Sequence, residues 1–282
     1  MHSVVEILSV GNELLLGNTV NTNAAWIASQ VTSAGSEVGR MTTIGDNLGD
    51  ISCALKESLR RHPDFLIITG GIGPTFDDMT LKGVAKGLGR RTRLNANAVR
   101  LIRSHYARRF KGRSLRLTKP RMKMARIPEG SVPLHNPVGT APAVRLTLGR
   151  TQVFCLPGVP SEAKAIFLES ILGRILTKAK GRSYVERWLR ISGLMESSLA
   201  PIIDRVMSHT PGIYIKSHPR GIENGRSHIE LHFSTLAPSQ SVGIQRVSKA
   251  VGEMKKELRA RAVRVGRCTE APWGASRVRS SV

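Results

Sequence analysis

Apolar runs typical of buried strands alternate with amphipathic helical patterns along the first 172 residues of the chain. The strand pattern occurs in five segments: 4–10, 37–44, 64–69, 144–148 and 152–156. Helical spacing of apolar residues occurs around 26–31, 51–59, 81–88, 95–110 and 163–172. This order predicts an α/β fold of three αβα layers, with a mostly parallel sheet covered by helices on both faces. Gly149 and Arg150 are expected to join the last two strands as a hairpin.

The composition changes around 179–183, and we place a domain boundary there, so that residues 1–178 form the first domain. Residues 179–265 have the pattern of a small α+β domain, with strands at 184–191, 213–216 and 229–235 and helices at 194–207 and 240–258. His228 and His232 fall on one face of a strand, but no neighbouring residue completes a metal site, so satisfied or solvated histidines are expected. Residues 266–282 are polar and unpatterned, which predicts a disordered tail.

A glycine-rich segment, Thr69–Thr80, joins the third strand to a helix. Three of its residues are glycines: Gly70, Gly71 and Gly73. These leave main-chain amides uncovered, and the positive end of the following helix points toward them, so the turn is suited to bind phosphate. Asp77 and Asp78 would repel a phosphate unless a divalent cation lay between them, which favours a joint phosphate and metal site. The alternative is a tight turn in which one aspartate caps the helix, and that leaves the second carboxylate unexplained.

Two further turns follow strands of the same predicted sheet. Glu13 is the first acid after the first strand, and Gly158 follows the last strand. Ligands bind beyond the carboxyl ends of parallel strands, and right-handed crossovers bring Glu13 to the same edge as the paired aspartates. The amides near Gly158 and Ser161 are candidates for a second anion-binding turn. Glu162 either belongs to that turn or serves as a first-turn helix acid.

The chain has 282 residues and a formal net charge of +23, and residues 90–126 contain fourteen Lys or Arg and no Asp or Glu. Such a block attracts phosphorylated metabolites, nucleic acid or anionic lipid, or it solvates an exposed helix. No run approaches the roughly 18 apolar residues that span a bilayer, so no membrane partner is expected. The chain has no secretory-signal pattern and three scattered cysteines, which predicts a cytoplasmic protein with Cys53 and Cys155 as small core residues.

Several motifs resemble the amino-terminal domain of the CinA family (competence/damage-inducible protein A), part of a larger molybdopterin-binding group. They are Gly11–Gly17 (G-x-E-L-L-x-G), Val20–Asn23, Gly45–Asn47, Thr69–Thr80 (T-G-G-L-G-P-T-x-D-D-x-T), Asn136–Pro142 (N-P-x-G-T-A-P) and Leu156–Glu162 (L-P-G-x-P-S-E). The match keeps the family's order and spacing over about residues 4–170. Residues 184–265 look like the KH-like module that follows in this family.

The resemblance implies a metal-dependent pyrophosphatase that acts on ADP-ribose or a similar nucleotide pyrophosphate, with Mg²⁺, Mn²⁺ or Co²⁺ as cofactor. Asp77 and Asp78 would hold the ion and act in catalysis with Glu13. The other candidate residues would bind the small phosphorylated substrate: Gly70, Gly71, Gly73, Thr75, Asn136, Gly139, Thr140, Gly158, Ser161 and Glu162. The family also implies a homodimer.

Two alternatives stay open. The first is a molybdopterin-binding or molybdenum-cofactor-biosynthesis protein, which uses the same turn for binding or adenylyl transfer, because both ligands offer a phosphate and a planar ring. The second is a nucleic-acid-binding protein that uses residues 90–126. It is less favoured, because residues 182–265 contain no G-x-x-G loop and aromatic residues make up only 4% of the chain.

The chain departs from the family in two places. After the small module no stretch is long enough for the family's carboxy-terminal nicotinamide-mononucleotide deamidase domain, so that activity is not expected. Lys82 replaces an acid often found two residues after the motif threonine. The loss of that carboxylate is expected to weaken metal binding or to change which phosphate is held.

Overall fold

The computed structural model describes residues 3–109, 117–223 and 225–270. The chain divides into two compact units, Met1–Lys180 (the first unit) and Gly181–Val282 (the second unit). The composition change at 179–183 falls at this division. In the described part of the chain, no helix is both long enough and apolar enough to cross a membrane.

The strands described in the first unit are β1 Val4–Val10, β2 Glu37–Ile44, β3 Phe65–Gly70, β4 Thr92–Leu94, β5 Arg126–Pro128, β6 Val132–Leu134, β7 Ala143–Leu148 and β8 Thr151–Pro157. Its main sheet has the order β2-β1-β3-β8-β7-β6, and β4 pairs with β5 separately. The pairs among β2, β1, β3 and β8 are parallel, whereas β6, β7 and β8 pair antiparallel. The predicted hairpin is confirmed, and Gly149 takes the left-handed turn between β7 and β8 with φ of 57°.

The helices described in this unit are α1 Asn12–Leu15, α2 Thr22–Ser33, α3 Leu48–Arg60, α4 Thr80–Gly87, α5 Ala96–Arg109, α6 Lys119–Lys123, α7 Pro160–Ile166 and α8 Leu172–Ala179. A π-helical turn, Phe167–Ile171, joins α7 to α8. Pro160 occupies the first turn of α7, where its missing amide hydrogen costs nothing, as the sequence predicts.

Successive residues of β3 point to opposite faces of the sheet, and each face has its own core. Leu66 and Ile68 pack with residues of α3, α4 and α5, whereas Phe65 and Ile67 pack with residues of α2, α7 and α8. Helices therefore cover both faces, and the predicted α/β fold with a mostly parallel sheet is confirmed. The parallel arrangement brings the carboxyl ends of β1, β3 and β8 to one edge.

Glu6 is a buried carboxylate on β1 that is fully engaged in hydrogen bonds. It accepts hydrogen bonds from Ser58 Oγ at 2.6 Å and from Nε and Nη2 of Arg61, both at 2.7 Å. Burial by itself raises the pKa of Glu6, but the hydrogen bonds from Arg61 and Ser58, with the charges of Arg61 and Arg40, hold it below its ordinary value. The ionised form of Glu6 therefore stabilises the folded chain.

The difference in free energy of unfolding between the native chain and Glu6→Gln is expected to be largest near neutral pH and to close in acid. Because the folded pKa lies below the unfolded one, the stabilisation is complete above about pH 5 and is lost as pH falls through the folded pKa. Urea unfolding at a series of pH values measures this difference. The exposed Glu37→Gln is the control, and a Glu6 difference that does not change with pH would contradict the assignment.

The second unit contains β9 Ser183–Ser192, α9 Glu196–His209, β10 Tyr214–Glu223, β11 Arg226–Ala237, α10 Gln240–Arg259 and β12 Arg264–Thr269. Its sheet has the order β10-β11-β9-β12, and all neighbours are antiparallel. Apolar residues of β9, β10 and β11 pack with both helices in one core. The predicted α+β character is confirmed, and the element order is the split β-α-β arrangement of ferredoxin-like folds, which lends no support to the KH-like designation.

The two histidines of β11 are partnered within this sheet. His232 Nε2 lies 2.7 Å from Glu186 Oε2, and His228 Nδ1 lies 2.9 Å from Ser192 Oγ. They are therefore satisfied side chains, as expected from the sequence.

Two expectations are wrong. The tail predicted to be disordered from residue 266 begins inside β12, which pairs with β9. Local composition does not reveal that pairing partner. Residues 271–282 of the predicted tail lie outside the described part of the chain. Cys53 is exposed on α3, because its helix turns that position to solvent. Cys155 is buried as predicted, and burial raises the pKa of its thiol to about 12, so it is not a nucleophile.

Candidate functional site

A cavity of about 570 Å³ lies beyond the carboxyl ends of β1, β3 and β8. Ten of the residues proposed from the sequence line it: Glu13, Gly70, Gly71, Gly73, Thr75, Asp77, Asp78, Thr140, Gly158 and Glu162. Asn136, Gly139 and Ser161 do not line it. The expected edge of the sheet thus collects the glycine-rich turn, Glu13 and the second turn around Gly158 into one site.

Asp78 is turned into the glycine-rich loop rather than toward the helix that follows. Its Oδ2 accepts hydrogen bonds from Thr75 N at 2.7 Å and Thr75 Oγ1 at 2.6 Å. A Cβ at Gly71 would lie 2.8 Å from Asp78 Oδ1 and 2.9 Å from its Cα, and a Cβ at Gly73 would lie 2.9 Å from Oδ2. Both glycines are therefore needed to admit Asp78, a role in addition to the uncovered amides inferred from sequence.

Neither aspartate caps α4. Met79 is the N-cap residue, and no side chain closes this end of the helix. The tight-turn alternative, in which an aspartate serves as the cap, is therefore wrong.

Lys123 of α6 occupies the inner side of the same loop. Its Nζ donates to the carbonyl oxygens of Gly73 at 3.4 Å, Asp78 at 2.9 Å and Thr75, and it lies 4.0 Å from Asp78 Oδ2. Burial lowers the pKa of Lys123, and the neighbouring Lys82 adds to this effect, while Asp78 opposes it. A cation from a distant part of the sequence thus lies inside the turn that was expected to bind an anion.

Asp77 is the exposed acid of the pair. The pKa of Asp77 lies below its ordinary value. The largest cause is a hydrogen bond with the Thr75 side chain, and a backbone hydrogen bond and the charge of Lys123 lower it further. Its carboxylate is therefore ionised at neutral pH and accessible from the cavity.

The ends of β1 and β2 contribute two more carboxylates to the cavity wall, Glu13 and Asp46. A Cβ at Gly11 would lie 2.5 Å from Glu13 Oε1, so the glycine allows the Glu13 side chain to fold back over the end of β1. Asp46, which follows β2, accepts a hydrogen bond from Asn12 N at 2.9 Å, and its own amide donates to Asn12 Oδ1 at 3.1 Å. This reciprocal pair fixes Asp46 beside Glu13 at the cavity.

Asn136 and Gly139 act behind the wall and position Glu162. Asn136 Nδ2 donates to Glu162 Oε2 at 2.7 Å, while its Oδ1 accepts from the amides of Val138 at 3.1 Å and Gly139 at 2.7 Å. A Cβ at Gly139 would lie 2.2 Å from the Glu162 carboxyl group, so a larger residue there would displace that carboxyl group from its present position. Asn136 and Gly139, which were predicted to contact the substrate, therefore position Glu162, and Glu162 lines the cavity.

A family model described as "Probable molybdopterin binding domain" matches residues 6–177, which is more than half of the chain. The chain belongs to this family. A protein of Metallosphaera sedula is 42% identical to this chain, and the match covers 90% of this chain and 92% of the relative. A protein of Thermoplasma volcanium is 39% identical, and the match covers 88% of this chain and 93% of the relative. The crystal structure of CinA, of unknown function, from Thermoplasma acidophilum is 40% identical, covers 61% of this chain and 98% of its own, and has a TM-score of 0.55. The CinA resemblance is thereby confirmed.

Sequence reasoning missed four residues in or beside this cavity: Asp46, Tyr106, Lys123 and Met124. Asp46 has the same signal as Glu13, an acid directly after a parallel strand, and that signal was available. Tyr106 of α5 lines the cavity with Met124, and the Arg121 guanidinium lies 4.4 Å from the Tyr106 ring centroid. Tyr106, Arg121 and Met124 all belong to the basic segment 90–126, where the sequence shows only helical spacing and gives no sign of these contacts.

The described residues contain no preformed metal cage, since no group of three or more His, Cys, Asp or Glu side chains among them is arranged to hold an ion. Carboxylates are nevertheless abundant around the cavity: Glu13, Asp46, Asp77, Asp78 and Glu162. Mg²⁺ is commonly held by one or two carboxylates together with substrate phosphates, and this donor set fits that mode. Lys82 does not line this cavity. It lines a smaller one together with Lys123 and Arg126.

Proposed function

We propose that the protein is a metal-dependent hydrolase of a phosphoanhydride bond, acting on ADP-ribose or a similar nucleotide pyrophosphate. The observation that carries this proposal is the grouping of five carboxylates with a glycine-rich phosphate turn in one cavity. The volume of about 570 Å³ suits a nucleotide-sized ligand, because small-molecule sites typically measure about 300–1,000 Å³.

Asp77 is the best placed residue to hold the divalent ion. Its carboxylate is exposed and ionised, whereas Asp78 is hydrogen bonded within the loop and close to Lys123. When bound, such an ion offsets phosphate charge and activates water. Asp78 then acts mainly by shaping the loop, while Glu13, across the cavity, orients the attacking water or a ribose hydroxyl.

The substrate is held at two ends of the cavity. The amides of Gly71 and Gly73 bind the pyrophosphate, with Gly70, Thr75 and Gly158 beside it. Tyr106 and Met124 offer an aromatic and a polarisable surface for the planar base. Thr140 and Glu162 close the remaining side of the cavity.

The second candidate is a molybdopterin-binding or adenylyl-transferring protein, and the family match favours it about as strongly. A pterin phosphate would occupy the same turn, with its ring against Tyr106. Homodimer formation remains a proposal for either function. Nucleic-acid binding through residues 90–126 is less favoured, because Arg121 and Lys123 of that block already contact Tyr106 and the glycine-rich loop.

ADP-ribose hydrolysis by the purified full chain with Mg²⁺, Mn²⁺ or Co²⁺ tests the proposal. Turnover that depends on the metal is expected, and Asp77→Asn should lower it about 10- to 100-fold, since other carboxylates of the cavity compensate in part. The exposed Asp204→Asn in the second unit is the matched control and should keep full turnover. Binding of a pterin without any hydrolysis would instead support the second candidate.

A further inference from the structure

We propose that Lys123 is a positioning residue whose ammonium group serves as the internal cation of the glycine-rich loop. The proposal concerns the conformation of Gly70–Thr80, and its consequence for turnover rests on the proposed function. Lys123 lies about 45 residues after this loop in the sequence and outside every motif that identifies the site.

Three main-chain carbonyl groups of the loop converge on one nitrogen. They belong to Gly73, Thr75 and Asp78, and each accepts a hydrogen bond from Lys123 Nζ. An ammonium group has three N–H donors and no acceptor, so all of its donors are used here. The Lys123 side chain is 22% exposed, which places these contacts in a largely desolvated position where they are strong.

The loop needs this cation because its own hydrogen bonds are few. Beyond the Asp78 contacts with Thr75, the main-chain bonds described there are Asp78 N to Thr75 O at 3.4 Å and Thr80 N to Gly71 O at 3.1 Å. Carbonyl dipoles that point at one another repel in the absence of a positive charge. Without the ammonium, the turn that orients Thr75, Asp77 and Asp78 would open.

Lysine is also specific in this position. Its compact ammonium group can donate in three directions, whereas the guanidinium of arginine presents a planar fork of donors. The three carbonyl oxygens surround a single point, and a planar group of that size does not fit among them. Lys123→Arg is therefore expected to behave as a loss of function rather than as a conservative change.

Hydrogen exchange of the loop, followed by mass spectrometry of peptides covering 70–80, tests the proposal without any substrate. In Lys123→Ala and Lys123→Met the exchange of these amides is expected to be about tenfold faster or more, because the loop opens locally. Lys82→Ala is the matched control, since Lys82 is an exposed lysine beside the same loop, and its exchange should stay that of the native chain.

Chemical rescue separates the cation from a purely structural side chain. Lys123→Ala leaves space for n-propylammonium, which should restore slow exchange, whereas tetramethylammonium has the same charge but no N–H donor and should not. The proposal would be overturned if hydrogen exchange of the loop stayed unchanged in both Lys123→Ala and Lys123→Met, or if the two ammonium ions restored slow exchange equally. If the native chain also hydrolyses ADP-ribose, n-propylammonium should restore turnover in parallel; absence of native turnover would count against the proposed function alone.

Discussion

Gly71→Ala is expected to lower turnover of ADP-ribose about 100-fold or more, because displacement of a loop by about 1 Å can cost this much. The new Cβ would lie 2.8 Å from Asp78 Oδ1 and 2.9 Å from Asp78 Cα. The second contact is with the backbone, so a side-chain rotation cannot relieve it. Asp78 must move, and with it the hydrogen bonds that it accepts from Thr75. Steady-state kinetics with the divalent ion in excess measures the effect.

The control is Gly173→Ala in α8. Nothing lies within 4 Å of a Cβ at Gly173, and this glycine has no left-handed backbone conformation. Alanine in a helix should raise stability by about 0.5–1 kcal/mol and leave turnover unchanged. Full turnover in Gly71→Ala would show that the loop does not need the close approach of Asp78.

Phe154→Ala is expected to lower the free energy of unfolding by about 3–5 kcal/mol, the usual cost of deleting a buried aromatic ring. Phe154 lies on β8 between β3 and β7 and is 0% exposed. Its ring centroid is 6.5 Å from that of Phe65, and both rings belong to the core beneath α2, α7 and α8. Close packing around the central strands leaves little room for relaxation, so a cavity would remain.

Urea unfolding followed by far-UV circular dichroism measures this loss. Phe76→Ala is the matched control, because Phe76 is the same residue type but is 90% exposed on the glycine-rich loop. Its effect on stability should stay within about 0.5 kcal/mol. A similar loss in the two variants would mean that the Phe154 ring is not confined by its core.

The position of the site was predictable because it follows from local pattern and topology. Glu13 and the paired aspartates come directly after strands, and parallel strands bring such positions to one edge. The roles within the site were less predictable. Asp77 and Asp78 are adjacent and chemically identical, yet Asp78 is turned into the loop, where it accepts hydrogen bonds from the amide and the hydroxyl of Thr75, whereas Asp77 is exposed. Sequence treats the pair as one metal site, whereas their different burial separates them.

The sequence alone determined the α/β class, the central strands, the hairpin at Gly149 and the edge that holds the glycine-rich loop. These features depend on hydrophobic period, turn residues and crossover handedness, which are local properties or general rules. The tertiary structure alone decided what contacts that loop and its cavity: Lys123 inside the loop, Arg121 against Tyr106, and Asn136 behind Glu162. It also decided the pairing of β12 with β9. Each of these four contacts joins residues of different helices, strands or loops, and the partners are selected by packing in three dimensions, which no local pattern encodes.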